Sequence, residues 1–200
     1  MQSSKAVSTL CAIVALGLLG AATGVNAAPA AAEDAAAGGP VVTGTWEHRH
    51  ASFTYWGITA LYSCDGLENN IRALLQHLGA RKDVKVSARG CPHGSSVPGR
   101  NAIVEADFYT LSPSADAGAA NAVQARWAPV VVSATRPYFM SHGDCELIAE
   151  LKDIITKNFS LRDLNYRTDC VPRQVNIDDF SIKAEALKPL PAAVASASRG

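Results

Sequence analysis

The sequence predicts an α+β fold: two tandem β-α-β-β units forming a two-layer sandwich, with a sheet of about six strands and two helices on one face. Three observations carry that expectation. Leu67, Ile71, Leu74 and Leu75 have the spacing that lines one helix face, and Leu147, Leu151, Ile154 and Ile155 repeat it about 80 residues on. Lys82-Asp83-Val84-Lys85-Val86 and Arg162-Asp163-Leu164-Asn165-Tyr166 match at the same offset, and Trp46 and Trp127 each head the strand before a helix. Two cysteines also fall in each half, Cys64 with Cys91 and Cys145 with Cys170.

Residues 1–27 read as a secretory signal peptide. Lys5 is their only charge, and an apolar run follows from Leu10 to Ala22, too short to span a membrane comfortably. Val25-Asn26-Ala27 places small residues where a signal peptidase reads, with Ala28-Pro29-Ala30 as a second candidate. Removing Lys5 leaves the mature chain one charge negative. Residues 28–45 are mostly Ala, Gly and Pro, without hydrophobic period, and read as a flexible leader. Residues 189–200 read as a similar tail, so the folded domain is expected over 46–188.

The first unit is expected over 46–111. Its first strand runs from Trp46 to Trp56, with Ala51, Phe53 and Tyr55 alternating. Its helix opens at Asp65 as N-cap, with Glu68 three residues on, and Gly79 stops it. Val84, Val86 and Ala88 mark the second strand; Val104, Ala106 and Phe108 mark the third. A linker is expected from Ser112 to Ala120. The second unit, over 125–187, has Val130 to Ala134 as first strand and Asp144 as helix cap. Leu164, Tyr166 and Thr168 mark its second strand, and Phe180, Ile182 and Ala184 its third.

This topology selects a pairing of the cysteines. A helix of about 14 residues runs roughly 21 Å one way. A following strand of about eight residues runs back roughly 26 Å, so the helix start and strand end meet at one pole. Cys64–Cys91 and Cys145–Cys170 follow, and the alternative is a pairing across the two units. An even cysteine count without C-x-x-C fits an oxidising compartment and structural bridges.

Charge narrows the partners. Eighteen basic residues balance eighteen acidic ones, so neither nucleic acid nor a membrane surface, once the signal is cleaved, is an expected partner.

Tyr62-Ser63-Cys64-Asp65-Gly66-Leu67, Gly79-Ala80-Arg81, Gly90-Cys91 and Gly143-Asp144-Cys145 resemble a family of exported proteins of Gram-negative bacteria. Members of that family carry a signal peptide and no assigned activity. The resemblance covers about residues 46–187. It implies export, to the periplasm or beyond, and a shared fold; it carries over no catalytic or cofactor-binding residue.

Three functions are weighed. The first is an exported, non-catalytic binding or interaction protein of the cell envelope, with an envelope protein or a cell-wall polymer as partner. The second is a Cu- or Zn-binding protein using His48 and His50, which share a strand face but need a third ligand. The third is a small hydrolase at the cysteine pole, where His93 and His142 are expected near Ser63, Ser95, Ser96, Asp65, Asp144 and Asp169. Asp65 and Asp144 are already explained as helix caps, and no G-x-S-x-G elbow is present. Tyr55, Trp56 and Tyr62 suit a binding patch or, as the commoner fate of such rings, the core. The loop between Cys91 and Arg100 is longer than a tight hairpin needs, and it is where the two units differ most.

Overall fold

The computed structural model describes residues 39–91, 99–171, 174–175 and 179–191. The expected signal peptide lies outside them, as do most of the leader, residues 92–98 and most of the tail. In chain order the elements are β1 (Val42–Trp56), α1 (Cys64–His77), β2 (Lys85–Arg89), β3 (Asn101–Pro113), β4 (Ala122–Ser133), α2 (Cys145–Asn158), β5 (Leu161–Thr168) and β6 (Phe180–Pro189). The six strands form one antiparallel sheet in the order β2-β3-β1-β4-β6-β5. The fold is mixed α+β. No helix among the described residues is long and apolar enough to cross a membrane.

Alternation explains the strands. On β3, Ala102, Val104, Ala106 and Phe108 are buried while Asn101, Ile103 and Asp107 are exposed. The helical periodicity holds equally: Leu67, Ile71, Leu74 and Leu75 of α1 are buried, as are Leu147, Ile148, Leu151 and Ile155 of α2. These side chains share one core with the inward residues of β2, β3, β4 and β6. Each fully buried Leu or Ile stabilises by roughly 1.5–3 kcal/mol, which makes this core the main stabilising element. Gly79 ends α1 with φ +106°, and a Cβ there would stand 3.2 Å from the Leu187 carbonyl oxygen. Only glycine satisfies both demands.

A smaller cluster forms where β1 meets β4. Leu111, Ala125, Trp127 and Leu187 are buried there, with Val42, Trp46 and Val123 against them. Leu111 and Leu187 fall out of phase with the main core, since each follows an inward residue, so this cluster lies on the other side of the sheet. Trp46 is paired with Leu111, and Trp127 with Leu187.

Several sequence expectations need correction. The leader does not reach Thr45: β1 starts at Val42, and residues 42–45 make the whole β1–β4 pairing. Thr43-Gly44-Thr45 carries no hydrophobic signal, and Gly44 is needed because a Cβ would lie 3.3 Å from both Ala125 and Leu111. β3 runs to Pro113, so Ser112 and Pro113 belong to a strand rather than the linker. The N-cap of α1 is Ser63, whose hydroxyl accepts from Gly66 N at 3.2 Å. Glu68 instead accepts from the Ala88 amide of β2 at 2.8 Å, tying helix to sheet. Leu164 faces solvent, because a bulge between Arg162 and Asn165, with Asp163 at φ +52°, turns it outward.

The cysteines form Cys64–Cys91 and Cys145–Cys170, with Cα atoms 5.2 and 5.8 Å apart. In both, the first partner opens a helix and the second follows the next strand.

Candidate functional site

β1 ends in a turn that places two aromatic rings on opposite sides of the sheet. Tyr55 points into the core at 1% exposure, and its hydroxyl donates to the Ala60 carbonyl at 2.5 Å. Trp56, next in the alternation, is 58% exposed. Gly57 follows because the chain folds back on itself: a Cβ there would lie 2.2 Å from the Ala60 carbonyl oxygen. Its amide donates to Arg100 O at 2.6 Å, which joins the turn to the start of β3.

α2 holds the other side of this turn. Glu146, in its first turn, is buried and accepts from Ile58 N, Thr59 N and the Thr59 hydroxyl at 3.1–3.3 Å. A carboxylate at a helix start also meets the positive end of the helix dipole. Between turn and helix opens a cleft of about 730 Å³. Trp56, Ile58 and Ala149 give it an apolar wall, while Arg100, Asn101 and Glu150 place polar groups around it. That combination, an apolar concavity with a few directed polar groups, is the usual form of a small-ligand or peptide site.

A polar network centred on the buried Asp144 stands just ahead of α2. The Tyr62 hydroxyl donates to Asp144 Oδ1, and Asp144 Oδ2 accepts from Ser141 N at 2.6 Å and Ser141 Oγ at 3.0 Å. Asp144 thus closes the single 3₁₀ turn ahead of α2 and makes no side-chain cap bond to α2 itself. Burial pushes the Tyr55 and Tyr62 phenols well above their ordinary range, and the carboxylates of Glu146 and Asp144 add to the rise. Both phenols therefore stay neutral donors.

The other predicted residues land elsewhere. His48 and His50 lie exposed on β1, and both reach one carboxylate oxygen of Asp107 on β3: His48 Nε2 at 3.4 Å and His50 Nδ1 at 3.1 Å. Among the described residues no three His, Cys, Asp or Glu side chains are preset around a metal centre. At the cysteine poles, His142 Nδ1 lies 3.0 Å from Asp179, and Ser63 is engaged as helix cap. No serine–histidine hydrogen bond forms among the described residues; His93, Ser95 and Ser96 lie outside them. Asp65 sits exposed in the first turn of α1, and the Asp169 amide donates to Asp179 O at 3.0 Å.

Sequence reasoning missed Asp107, Glu146 and Arg100. Asp107 is 57 residues from His50, and only the β1–β3 register joins them. Glu146 reads as an ordinary exposed helix residue, because its partners are backbone amides that carry no sequence signal.

A second cleft, of about 780 Å³, opens at the far ends of β4, β5 and β6, lined by Arg136, Arg167, Lys183 and hydroxyl side chains.

No protein-family model matches the chain. No curated protein and no solved structure matches it either.

Proposed function

We propose that this chain is an exported, non-catalytic binding protein of the bacterial cell envelope, in keeping with the exported family that its cysteine and glycine motifs resemble. Its Trp56 cleft is the ligand site in this reading, and the exposed indole beside Arg100 and Glu150 is the observation that carries it. An indole left 58% exposed offers apolar area that a ligand can cover, and aromatic rings with flanking charges are favoured at contact sites. The ligand is a segment of an envelope protein or of a cell-wall polymer. Two cystines support an oxidising destination.

The scaffold in this reading is a two-layer sandwich of two tandem β-α-β-β units. Support comes from the element order, which runs β-α-β-β twice, and from the strand order, symmetric about the β1–β4 contact. Arg81 stacks on Tyr109 at 3.7 Å and near Trp46 at 5.9 Å; Arg162 stacks on Trp127 at 3.8 Å.

The test is a pull-down from envelope extract and sacculi with wild type and Trp56→Ala. The expected result is a partner retained by wild type and lost by the variant, with an unchanged melting temperature. Nothing above background on wild type, or equal retention by both, overturns the reading.

A second reading is favoured by one specific observation, the shared approach of His48 and His50 to Asp107. Donor atoms 3.1 and 3.4 Å from one carboxylate oxygen are separated as neighbouring ligands are around a tetrahedral Zn. A Cu or Zn ion would displace the His50–Asp107 hydrogen bond and the His48–Asp107 contact, and the three side chains would have to turn towards it to act as ligands. An ion that binds only the native state raises its melting point; an unchanged value with either metal removes this reading.

A further inference from the structure

The second cleft differs from the rest of the sheet in how its charges are arranged. On the first half of the sheet the guanidinium groups have carboxylate partners: Arg49 has Glu47, Arg81 has Asp83, and Arg89 has Glu105. Arg89 and Glu105 are diagonal neighbours on adjacent strands, since Arg89 stands opposite Ile103. The second half contains the same diagonal with like charges. Arg167 stands opposite Ser181, so Lys183 is its diagonal neighbour, and both line the cleft. Arg136 joins them from the loop after β4.

None of these three cations has an ion pair among the described residues, and all three are exposed. Two carboxylates, Asp169 and Asp179, also line the cleft, and Asp179 is taken by His142, so the three cations outnumber them. Like charges placed side by side on a sheet are destabilising in water. An arrangement of three around a concavity, with the hydroxyls of Ser133, Thr135 and Ser181 beside them, is the donor set that an anion would satisfy.

We propose that this cleft binds a sugar-sized molecule carrying an oxyanion, phosphate or carboxylate. The arginine forks take the oxyanion in pairs of parallel hydrogen bonds, Lys183 adds a point charge, and the hydroxyls take neutral oxygens of the same ligand. The site is separate from the Trp56 cleft and stands or falls independently of it.

Calorimetric titration of the full mature chain at low ionic strength tests the proposal, with glucose 6-phosphate, glucuronate and uncharged glucose as probes. Saturable binding of a charged probe, with none of glucose, is expected; which charged probe binds identifies the oxyanion. The affinity should fall at least tenfold in Arg167→Ala/Lys183→Ala and weaken on raising the salt. Arg136→Gln removes a cation from the loop rather than the strands and should weaken binding in a fold left untouched. Trp56→Ala and Arg89→Ala should bind as wild type does. No binding of either charged probe, equal binding of glucose, or full affinity in both cation variants overturns the proposal.

Discussion

The two halves of the sheet run through the same order of elements and carry different surfaces. In the first half, β1 ends in an apolar cleft around Trp56, and the charged side chains on β1, β2 and β3 are largely paired, with Asp107 serving both His48 and His50. In the second half, β4 ends in a polar cleft where Arg136, Arg167 and Lys183 form no ion pair among the described residues. The interior shows no such divergence: each half has a helix with a four-residue apolar face, a disulfide at the helix start and a guanidinium stacked on an aromatic ring. Packing constrains the interior in both halves alike, while the loop ends are free to differ, and it is at those ends that the two clefts differ in character.

The largest test of the comparison is the pair of disulfides. Their loops span 27 and 25 residues, so chain entropy assigns each about 3–4 kcal/mol of stability. Cys64→Ala/Cys91→Ala and Cys145→Ala/Cys170→Ala should therefore lower the denaturation midpoint by similar amounts. A gap of more than about 1 kcal/mol would show that the native contacts of one bridge, not its loop, set its contribution.

Next in size is Glu146, by which α2 holds the turn after β1. Glu146→Ala leaves the Ile58 and Thr59 amides without their acceptor and should cost about 2–3 kcal/mol by chemical denaturation. Because Gly57 and Ile58 of that turn line the first cleft, the proposed Trp56-dependent binding should be lost in the variant, and the proposed anion binding at the second cleft kept. Loss of both would mean that the two clefts are coupled through α2.

The contrast between interior and surface also explains how much the sequence revealed. Periodicity located both helices and the strands that bury one face, because burial imposes a period, whereas β5 buries no residue fully and its Leu164 faces solvent. The disulfide pairs followed from helix and strand lengths. What escaped was set by contacts distant in sequence. Residues 42–45 look like leader, and they are strand only because β3 and β4 flank them on both sides. Tyr55 and Trp56 look alike as candidate core residues, yet alternation puts one ring inside and the other in solvent. Asp107 and Glu146 gain their importance from register and from backbone amides, and neither leaves a motif.

A finer comparison uses the two stacked guanidiniums. Arg162 lies over Trp127 and has no ion pair among the described residues, while Arg81 stacks on Tyr109 and also holds Asp83 through two hydrogen bonds at 2.6 and 2.8 Å. Those bonds raise the Arg81 pKa and hold the Asp83 carboxyl below its usual range. Each stacking contact is worth about 0.5–2 kcal/mol. Arg81→Ala should exceed Arg162→Ala by the small contribution of an exposed ion pair, about 0.5 kcal/mol, and that excess should vanish in high salt. Equal losses at low salt would mean that the ion pair adds nothing.

The smallest expected effect concerns His77, where the end of α1 touches the second half of the sheet. Its Nε2–H donates to the Val131 carbonyl at 3.1 Å, filling an acceptor on β4. Burial holds its pKa below the ordinary 6.5, with the nearby Lys188 charge acting the same way and the Val131 bond opposing both. The native state thus favours the neutral ring, and the unfolded chain takes up a proton first as pH falls. The stability contributed is complete above about pH 7 and is lost as pH drops through 6.5 and below. His77→Gln keeps an amide donor for Val131 and removes the titration. Between pH 7 and pH 5 the wild-type melting temperature should fall further than that of the variant, while the two agree at pH 8. Parallel curves across that range would show that the ring is protonated at no cost in the folded state, and that the contact between α1 and β4 is looser than its geometry implies.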